Sequence, residues 1–246
     1  AHRTVVRFDP RGAGLSDRDV ADLSLGARLR DIDAVADHLG FTTFAIQASL
    51  QTCAWAIAYA ASRPGRVTHL ALHQPYVSGA NFWDEPGRRA LESLIPVDWP
   101  TYTEAAMSHA FGWAPGDTPR ALATQMRAAM TPADFLAYLR AERLISVETL
   151  LPQVACPVLV VHCPPATLAP RELALRLTAS VPDGRLTLPA SFDQYLDELN
   201  AFLDSPGADV DPAPPSDRLV VRIVGLAASG ATGPERLFAL HPAPSA

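Results

Sequence analysis

Lysine is absent from the 246-residue sequence, so all 20 basic residues are arginine. Cysteine is scarce, with only Cys53, Cys156 and Cys163. An odd number of cysteines without C-x2-C spacing supports neither a disulfide framework nor a zinc site. No apolar run approaches the roughly 18 residues of a membrane span. The first residues, Ala1–Thr4, lack both Met and a signal-peptide pattern, and we interpret them as a truncated beginning. We therefore expect a cytoplasmic protein with reduced thiols.

An excess of positive charge is also missing. The net charge of −6 argues against a nucleic-acid-binding surface spread over the whole chain, although it leaves room for a small DNA-binding tail. A content of 48% hydrophobic and 19% charged residues suits one globular α/β domain. No cofactor or metal motif is found, and we expect neither group.

Short apolar runs alternate with helical patterns over most of the chain. A helix from the capping residue Ser24 to Gly40 and a second from Leu50 to Ser62 lie between the first three runs. Strands alternating with helices predict a mostly parallel sheet of about five strands with right-handed crossovers. The predicted strands are Thr4–Phe8, Phe44–Ala48, Val67–Leu72, Pro157–His162 and Gly184–Leu188.

Residues 76–151 interrupt this alternation. They hold three of the four tryptophans and two helical stretches, Arg120–Met130 and Ala133–Leu144, and are predicted to form a helical cap inserted between two strands. Residues 204–217 are rich in Pro, Asp and Gly, which is typical of a linker. Residues 218–246 are then a separate small tail.

The segment Asp9–Ser16 (D-P-R-G-A-G-L-S) follows a predicted strand and resembles the D-x-R-G-x-G-x-S turn of α/β-hydrolases. The resemblance extends in order over about residues 3–203 and implies an α/β-hydrolase-like domain at 1–203, of ancestral class serine hydrolase. Its further matching segments are Asp17–Gly40, Ala54–Ala61, Arg63–Val67, Cys156–His162 and Val181–Pro189.

The three catalytic positions that this resemblance implies carry unsuitable residues. The nucleophile normally sits in G-x-S-x-G at a tight strand-to-helix turn. Alignment without gaps puts Leu50 there, with Ala48 and Thr52 replacing the motif glycines. The acid position falls on Ala166 and the histidine position on Asp193. We predict that no catalytic triad is intact.

The oxyanion hole is also incomplete by this resemblance. One donor would be the backbone N–H of Gln51, but the other follows a strand that the sequence does not contain. In the family that strand lies between the ones predicted at Thr4–Phe8 and Phe44–Ala48. Its absence would leave unpaired backbone groups in the middle of the sheet. Three alternatives remain: the two strands pair directly, the chain is a fragment, or the run Leu219–Val224 takes the missing position. We favour a helix for this last run.

Ser49 is an alternative nucleophile, displaced by one residue, which would make the chain an atypical esterase-like hydrolase. It would need a base that the sequence does not supply. We favour a capping role for Ser49 or Thr52 at the helix that follows. Because leucine at a strained turn costs about 1–3 kcal/mol without catalytic return, we expect the backbone at Leu50 to relax to ordinary angles.

Other polar pairs have structural explanations. His69 and His73 lie on a predicted strand, where four residues span roughly 13 Å, too far to share a metal ion. Asp9 and Arg11 are expected to hold the turn after the first strand. Three cap tryptophans are expected either to line a pocket for a small apolar ligand or to form the core of the cap. They are Trp83, Trp99 and Trp113.

The tail contains a second, shorter resemblance. Leu226–Glu235 resembles the middle of LuxR-type helix-turn-helix domains, with Asp217–Ile223 as the preceding helix. Such tails are joined to α/β-hydrolase domains in bacterial regulators. The sequence stops at Ala246, before a recognition helix, and major-groove readout needs that helix. The alternative is a loosely packed or disordered tail.

The preferred hypothesis is therefore a degenerate α/β-hydrolase-like domain that is a ligand-sensing or scaffolding part of a bacterial regulator, or a decayed gene product. The alternatives are a serine hydrolase using Ser49 and a LuxR-type DNA-binding regulator. They are distinguished by a reactive nucleophile in the first case and by binding to duplex DNA in the second.

Overall fold

The structure is a computed structural model that describes residues 3–110, 113, 117–163, 169–207 and 219–223. Its centre is a parallel six-stranded sheet in the order β1-β6-β2-β3-β4-β5. The strands are β1 (Thr4–Phe8), β2 (Phe44–Ser49), β3 (Val67–His73), β4 (Val158–Val161), β5 (Gly184–Thr187) and β6 (Leu219–Ile223). All pairings between neighbouring strands are parallel, as the alternation of strands and helices predicts.

Helices cover both faces of the sheet. Strand residues of one face pack with α1, α2 and α8, and strand residues of the other face pack with α9. The helices are α1 (Leu25–His38), α2 (Thr52–Ser62), α3 (Gly79–Trp83), α4 (Pro86–Glu92), α5 (Trp99–Ala110), α6 (Thr118–Ala129), α7 (Pro132–Arg143), α8 (Arg171–Ser180) and α9 (Phe192–Asp204).

The five predicted strands are confirmed to within one residue at each end. The first helix is confirmed as well: the Ser24 hydroxyl accepts the N–H of Ala27, and Gly40 takes a φ of +74° just beyond the last turn. Helices α3 to α7 lie between β3 and β4, which confirms the helical cap. Among the described residues, no helix is both long and apolar enough to cross a membrane.

The prediction of a helix over Asp217–Ile223 is wrong for residues 219–223. These residues form β6, which pairs in parallel with β1 on one side and with β2 on the other. The run has the β-branched composition of a buried strand, and the slot offers unpaired backbone groups on both sides. The alternative in which this run fills the gap is confirmed, so the sheet has one strand more than the five predicted. The rest of the predicted linker and tail, at 208–218 and 224–246, lies outside the described residues.

Candidate functional site

The tight turn between β2 and α2 forms the centre of the site. Leu50 stands there with a φ of +53°, in the left-handed region that favours glycine. Its N–H donates to the His73 carbonyl (2.9 Å). The Thr52 hydroxyl accepts the Ser49 N–H and donates to the Ser49 carbonyl, both at 2.9 Å. The expectation of relaxed backbone angles is wrong, because these bonds hold the turn in the strained conformation whatever its side chain.

The structure also corrects the expected capping role of Ser49 and Thr52. The N-cap of α2 is Gln51, which makes no side-chain capping bond. Thr52 braces the turn, and the Ser49 hydroxyl accepts from Gln47 Nε2 (3.2 Å). Among the described residues, no histidine or carboxylate side chain is hydrogen-bonded to Ser49. Within the described ranges, the serine therefore has no general base hydrogen-bonded to it.

Of the other two positions of the expected triad, the structure describes only Asp193. Asp193 is exposed in the first turn of α9, a helix capped by the Ser191 hydroxyl, which accepts from Gln194 N–H (3.1 Å). Ala166 lies outside the described residues. The structure thus places Leu50 at the strand-to-helix turn and Asp193 on the exposed surface of α9.

A cavity of about 80 Å³ lies between the turn and the cap. Leu50 forms part of its wall, and most of the wall is aromatic or aliphatic. Of the three cap tryptophans, Trp83 lines the cavity, whereas Trp99 stacks on Tyr102 and Trp113 is 66% exposed. The lining residues are Leu50, Gln51, Phe82, Trp83, Arg88, Leu91, Tyr102, Ala106, Met107, His109, Ala110, Met126 and Phe135.

Arg88 is the one arginine in this lining. Its guanidinium lies 4.0 Å from the centre of the Phe82 ring and donates to the Phe82 carbonyl (2.9 Å). Burial lowers the pKa of Arg88, although Glu85 and Tyr76 oppose that shift. The cavity is therefore apolar, with a half-buried arginine at its wall.

A buried polar cluster fastens the cap to the sheet domain. Arg28 of α1 forms an ion pair with Glu142 of α7, and its guanidinium lies over the ring of Trp55 (4.3 Å from the ring centre) and that of Tyr138 (4.7 Å). Glu142 also accepts from Trp55 Nε1 (3.3 Å) and from the Tyr76 hydroxyl (3.2 Å). Burial raises the pKa of Glu142, and Arg28 opposes the shift. Sequence reasoning missed this cluster, since nothing in the local pattern marks Glu142 as buried.

The turn after β1 is held by side-chain bonds and is bonded to the cap. The Asp9 carboxylate accepts the Leu15 N–H (3.0 Å), and Arg11 forms two bonds to Asp31 (2.6 and 2.5 Å). The structural role predicted for Asp9 and Arg11 is thus confirmed. The Gly14 N–H donates to the Ala129 carbonyl in the cap (3.1 Å), so this turn also anchors α6.

The histidines on the strands lie apart from one another. His69 is bonded through Nε2 to the Ser205 carbonyl (3.0 Å), and His73 packs on Tyr195, with ring centres 5.5 Å apart. His162 is buried just after β4, and its Nδ1 has no hydrogen-bond partner among the residues that the structure describes. In the described part of the chain, no group of three or more His, Cys, Asp or Glu side chains is arranged to hold a metal ion.

The cysteines lie in environments that disfavour the thiolate. Cys53 and Cys156 are buried, and Cys163 is partly exposed. Burial raises the pKa of Cys53, and it raises that of Cys156 to about 12. Because the thiolate is the nucleophilic form, neither buried thiol is suited to catalysis at neutral pH.

No family model matches the sequence, and no curated protein matches it. Solved structures do resemble the fold. A hydrolase from Pseudomonas aeruginosa PA01 shares 17% identity over 80% of this chain and 78% of that one, with a TM-score of 0.68. An esterase from Exiguobacterium antarcticum shares 18% identity over 79% of this chain and 76% of that one, with a TM-score of 0.64.

A third neighbour is an alpha/beta hydrolase enzyme from a Medee basin deep-sea metagenome library. It shares 13% identity over 83% of this chain and 80% of that one, with a TM-score of 0.66. At these identities the comparison establishes the fold and nothing finer. The chain has an α/β-hydrolase-like fold, a parallel sheet of six strands flanked by helices.

Proposed function

We propose that this chain is a non-catalytic α/β-hydrolase-fold protein that binds a small apolar ligand between the strand-to-helix turn and the cap. The observation that supports it best is Leu50 at the positive-φ turn, where a nucleophile would stand. A leucine has no atom that can attack a carbonyl carbon. Ser49, the neighbouring hydroxyl, is bonded to Gln47 rather than to a base.

The cavity supports the ligand part of the proposal. Its walls are largely apolar, as small-molecule sites generally are. Its volume of about 80 Å³ is smaller than the engineered cavity of about 150 Å³ that takes benzene. The ligand is therefore small, of a few non-hydrogen atoms, unless the cap moves. Arg88 at the wall would favour a ligand with an acceptor group at one end.

Binding without turnover is the signature of this function. We expect methyl acetate, a neutral ester with fewer non-hydrogen atoms than benzene, to give a saturation-transfer NMR signal with the protein and no hydrolysis product. Ala106→Phe, which fills the cavity, should abolish the signal. Val97→Phe, at a position 81% exposed, is the matched control and should retain it. A signal that survives Ala106→Phe would contradict binding in this cavity.

The esterase alternative is tested with a fluorophosphonate probe, which labels activated serines. We expect no labelling of the wild-type protein. Labelling that disappears in Ser49→Ala would overturn the non-catalytic proposal and support the alternative. Leu50→Ser should also remain unlabelled, because a serine at the turn would still lack a base.

We further propose that the domain is a ligand-sensing or scaffolding part of a regulator, or the product of a decayed gene. The regulator is suggested by the resemblance of Leu226–Glu235 to LuxR-type domains. DNA binding by this chain alone is the remaining alternative. A gel shift with duplex DNA at low salt that weakens steeply as salt rises would support it.

A further inference from the structure

The basic and acidic side chains are distributed unevenly around the cap cavity. Arg88 and His109 line it, whereas none of the described residues that line it is an aspartate or a glutamate. An arginine remains charged at neutral pH. The cavity therefore combines a largely apolar wall with a fixed positive charge, and a charge in apolar surroundings is costly unless an anion lies beside it.

The guanidinium of Arg88 is held in place at the wall. Its Nη1 donates to the Phe82 carbonyl (2.9 Å), and the group lies 4.0 Å from the centre of the Phe82 ring. The side chain is 13% exposed. Because these contacts already order a long side chain, a ligand that binds to it is spared much of the entropy cost of ordering it.

The acidic neighbour of Arg88 lies outside the cavity lining. Glu85 is 3.9 Å from Arg88 Nη1, which is longer than a hydrogen bond, and its side chain is 46% exposed. Its carboxylate accepts the backbone N–H groups of Gly87 and Arg88, both at 3.1 Å, at the start of α4. Water screens such an exposed pair. Since Glu85 is not among the described lining residues, an anion in the cavity would contact Arg88 without contacting this carboxylate.

The charge of Arg88 favours a carboxylate over a neutral ester. Burial lowers the pKa of Arg88, which reflects the cost of holding a cation in apolar surroundings, and an anion beside it offsets that cost. Hydrogen bonds between ionised groups are stronger than neutral ones, and the planar guanidinium suits both oxygens of a carboxylate. An ester offers a single uncharged carbonyl oxygen of comparable strength.

We propose that the ligand of the cap cavity is a short-chain aliphatic carboxylate. Its carboxylate group binds to Arg88, and its alkyl chain contacts the apolar wall that includes Leu50 and Met126. The cavity volume of about 80 Å³ limits the chain to the size of acetate or propionate. This ligand class rests on the binding function proposed above.

Propionate and methyl acetate are a matched pair for testing this ligand class. They have the same number of non-hydrogen atoms and differ in charge. In saturation-transfer NMR titrations of the full chain near neutral pH, propionate should bind about tenfold more tightly than methyl acetate. Propylammonium, of similar size and opposite charge, should not bind. Equal affinities of the wild type for propionate and methyl acetate, or binding of propylammonium as tight as that of propionate, would overturn the proposal.

Arg88→Met tests whether Arg88 is the source of the preference, since methionine keeps a long apolar stem without the charge. The variant should lose most of the preference for propionate over methyl acetate. Arg89→Met is the matched control, because Arg89 is the next residue of α4 and its side chain is 57% exposed. It should keep the wild-type preference. A tenfold preference that persists in Arg88→Met would overturn the role of Arg88; if that variant does not fold, the three ligands on the wild type decide.

The outcomes separate the ligand class from the function on which it rests. If methyl acetate binds as tightly as propionate and Ala106→Phe abolishes both signals, the carboxylate proposal fails and the binding function stands. If neither compound binds the wild type, the binding function itself fails. Propionate binding that Ala106→Phe abolishes and Arg88→Met weakens supports both.

Discussion

Arg28 and Glu142 form a buried ion pair that joins the first helix of the sheet domain to the last helix of the cap. Their side chains are 2% and 0% exposed, respectively. The carboxylate accepts two further hydrogen bonds, from Trp55 and Tyr76, and the guanidinium lies over two aromatic rings. Charges in such surroundings are costly to leave without a partner.

We expect Arg28→Met to lower the free energy of unfolding by about 3–5 kcal/mol, because it leaves the Glu142 charge buried alone. Glu142→Leu should lower the free energy of unfolding by a similar amount, because it leaves the Arg28 charge buried without its partner. The double variant should cost much less than the sum of the two. Urea unfolding of all four proteins measures the coupling, and additive effects would show that the two residues act independently.

Gly14 and Gly40 allow the steric and conformational roles of glycine to be separated. Both have positive φ, at +59° and +74°. A Cβ on Gly14 would lie 2.9 Å from Asp9 Cβ and overlap the Asp9 carboxylate, whereas a Cβ on Gly40 would meet no atom within 4 Å. We expect Gly40→Ala to lower the free energy of unfolding by about 1 kcal/mol. Gly14→Ala should lower it by clearly more, because the new Cβ would overlap Asp9. Equal losses in thermal unfolding would contradict the overlap at Asp9.

The strain at Leu50 predicts an inverted preference between alanine and glycine. Leu50→Gly should be more stable than Leu50→Ala by about 1 kcal/mol, since both remove the side chain and only glycine accepts a φ of +53° freely. The control is Ala58→Gly inside α2, which should lose about 1 kcal/mol. Chemical denaturation of the three variants and the wild type is the measurement. A Leu50→Ala protein as stable as Leu50→Gly would show that the turn is not strained.

His162 predicts a loss of stability in mild acid. Burial, assisted by the charge of Arg171 and opposed by Glu172, lowers the pKa of His162 from its ordinary 6.5. Below that value the unfolded chain binds a proton that the folded chain refuses, so the free energy of unfolding falls as the pH falls toward the folded-state pKa. Between about pH 7.5 and about pH 5.5, the wild type should lose more stability than His162→Gln. Parallel losses in the two proteins would show that His162 does not titrate differently on folding.

Most of the sheet could be predicted because its strands are apolar runs bounded by clear turns. Thr4–Phe8 is recovered without error, and Ser24 marks the start of α1 by its capping chemistry. The run Leu219–Ile223 carries no such information. Four apolar residues and one arginine fit a strand or a helix equally well, and only the slot between β1 and β2 selects the strand.

The candidate site was less predictable, because its geometry depends on distant contacts. The spacing of its neighbours placed Leu50 at the turn between β2 and α2, where the structure has it, but its positive φ was not expected, since a leucine prefers other angles. The bonds to the His73 carbonyl and through Thr52 decide the conformation instead. Glu142 and His162 are polar residues whose burial arises only when the cap and the strands meet. No local pattern marks either of them.

The central position of β6 also determines how the molecule would respond to force. Strands β1 and β6 run in the same direction, with Thr4 beside Leu219 and Phe8 beside Ile223. Tension applied before Thr4 and after Ile223 would pull the two strands along their length in opposite directions. Their hydrogen bonds would then be loaded together in shear rather than opened one at a time. The pairing of β1 with β6 would therefore resist mechanical unfolding along this direction.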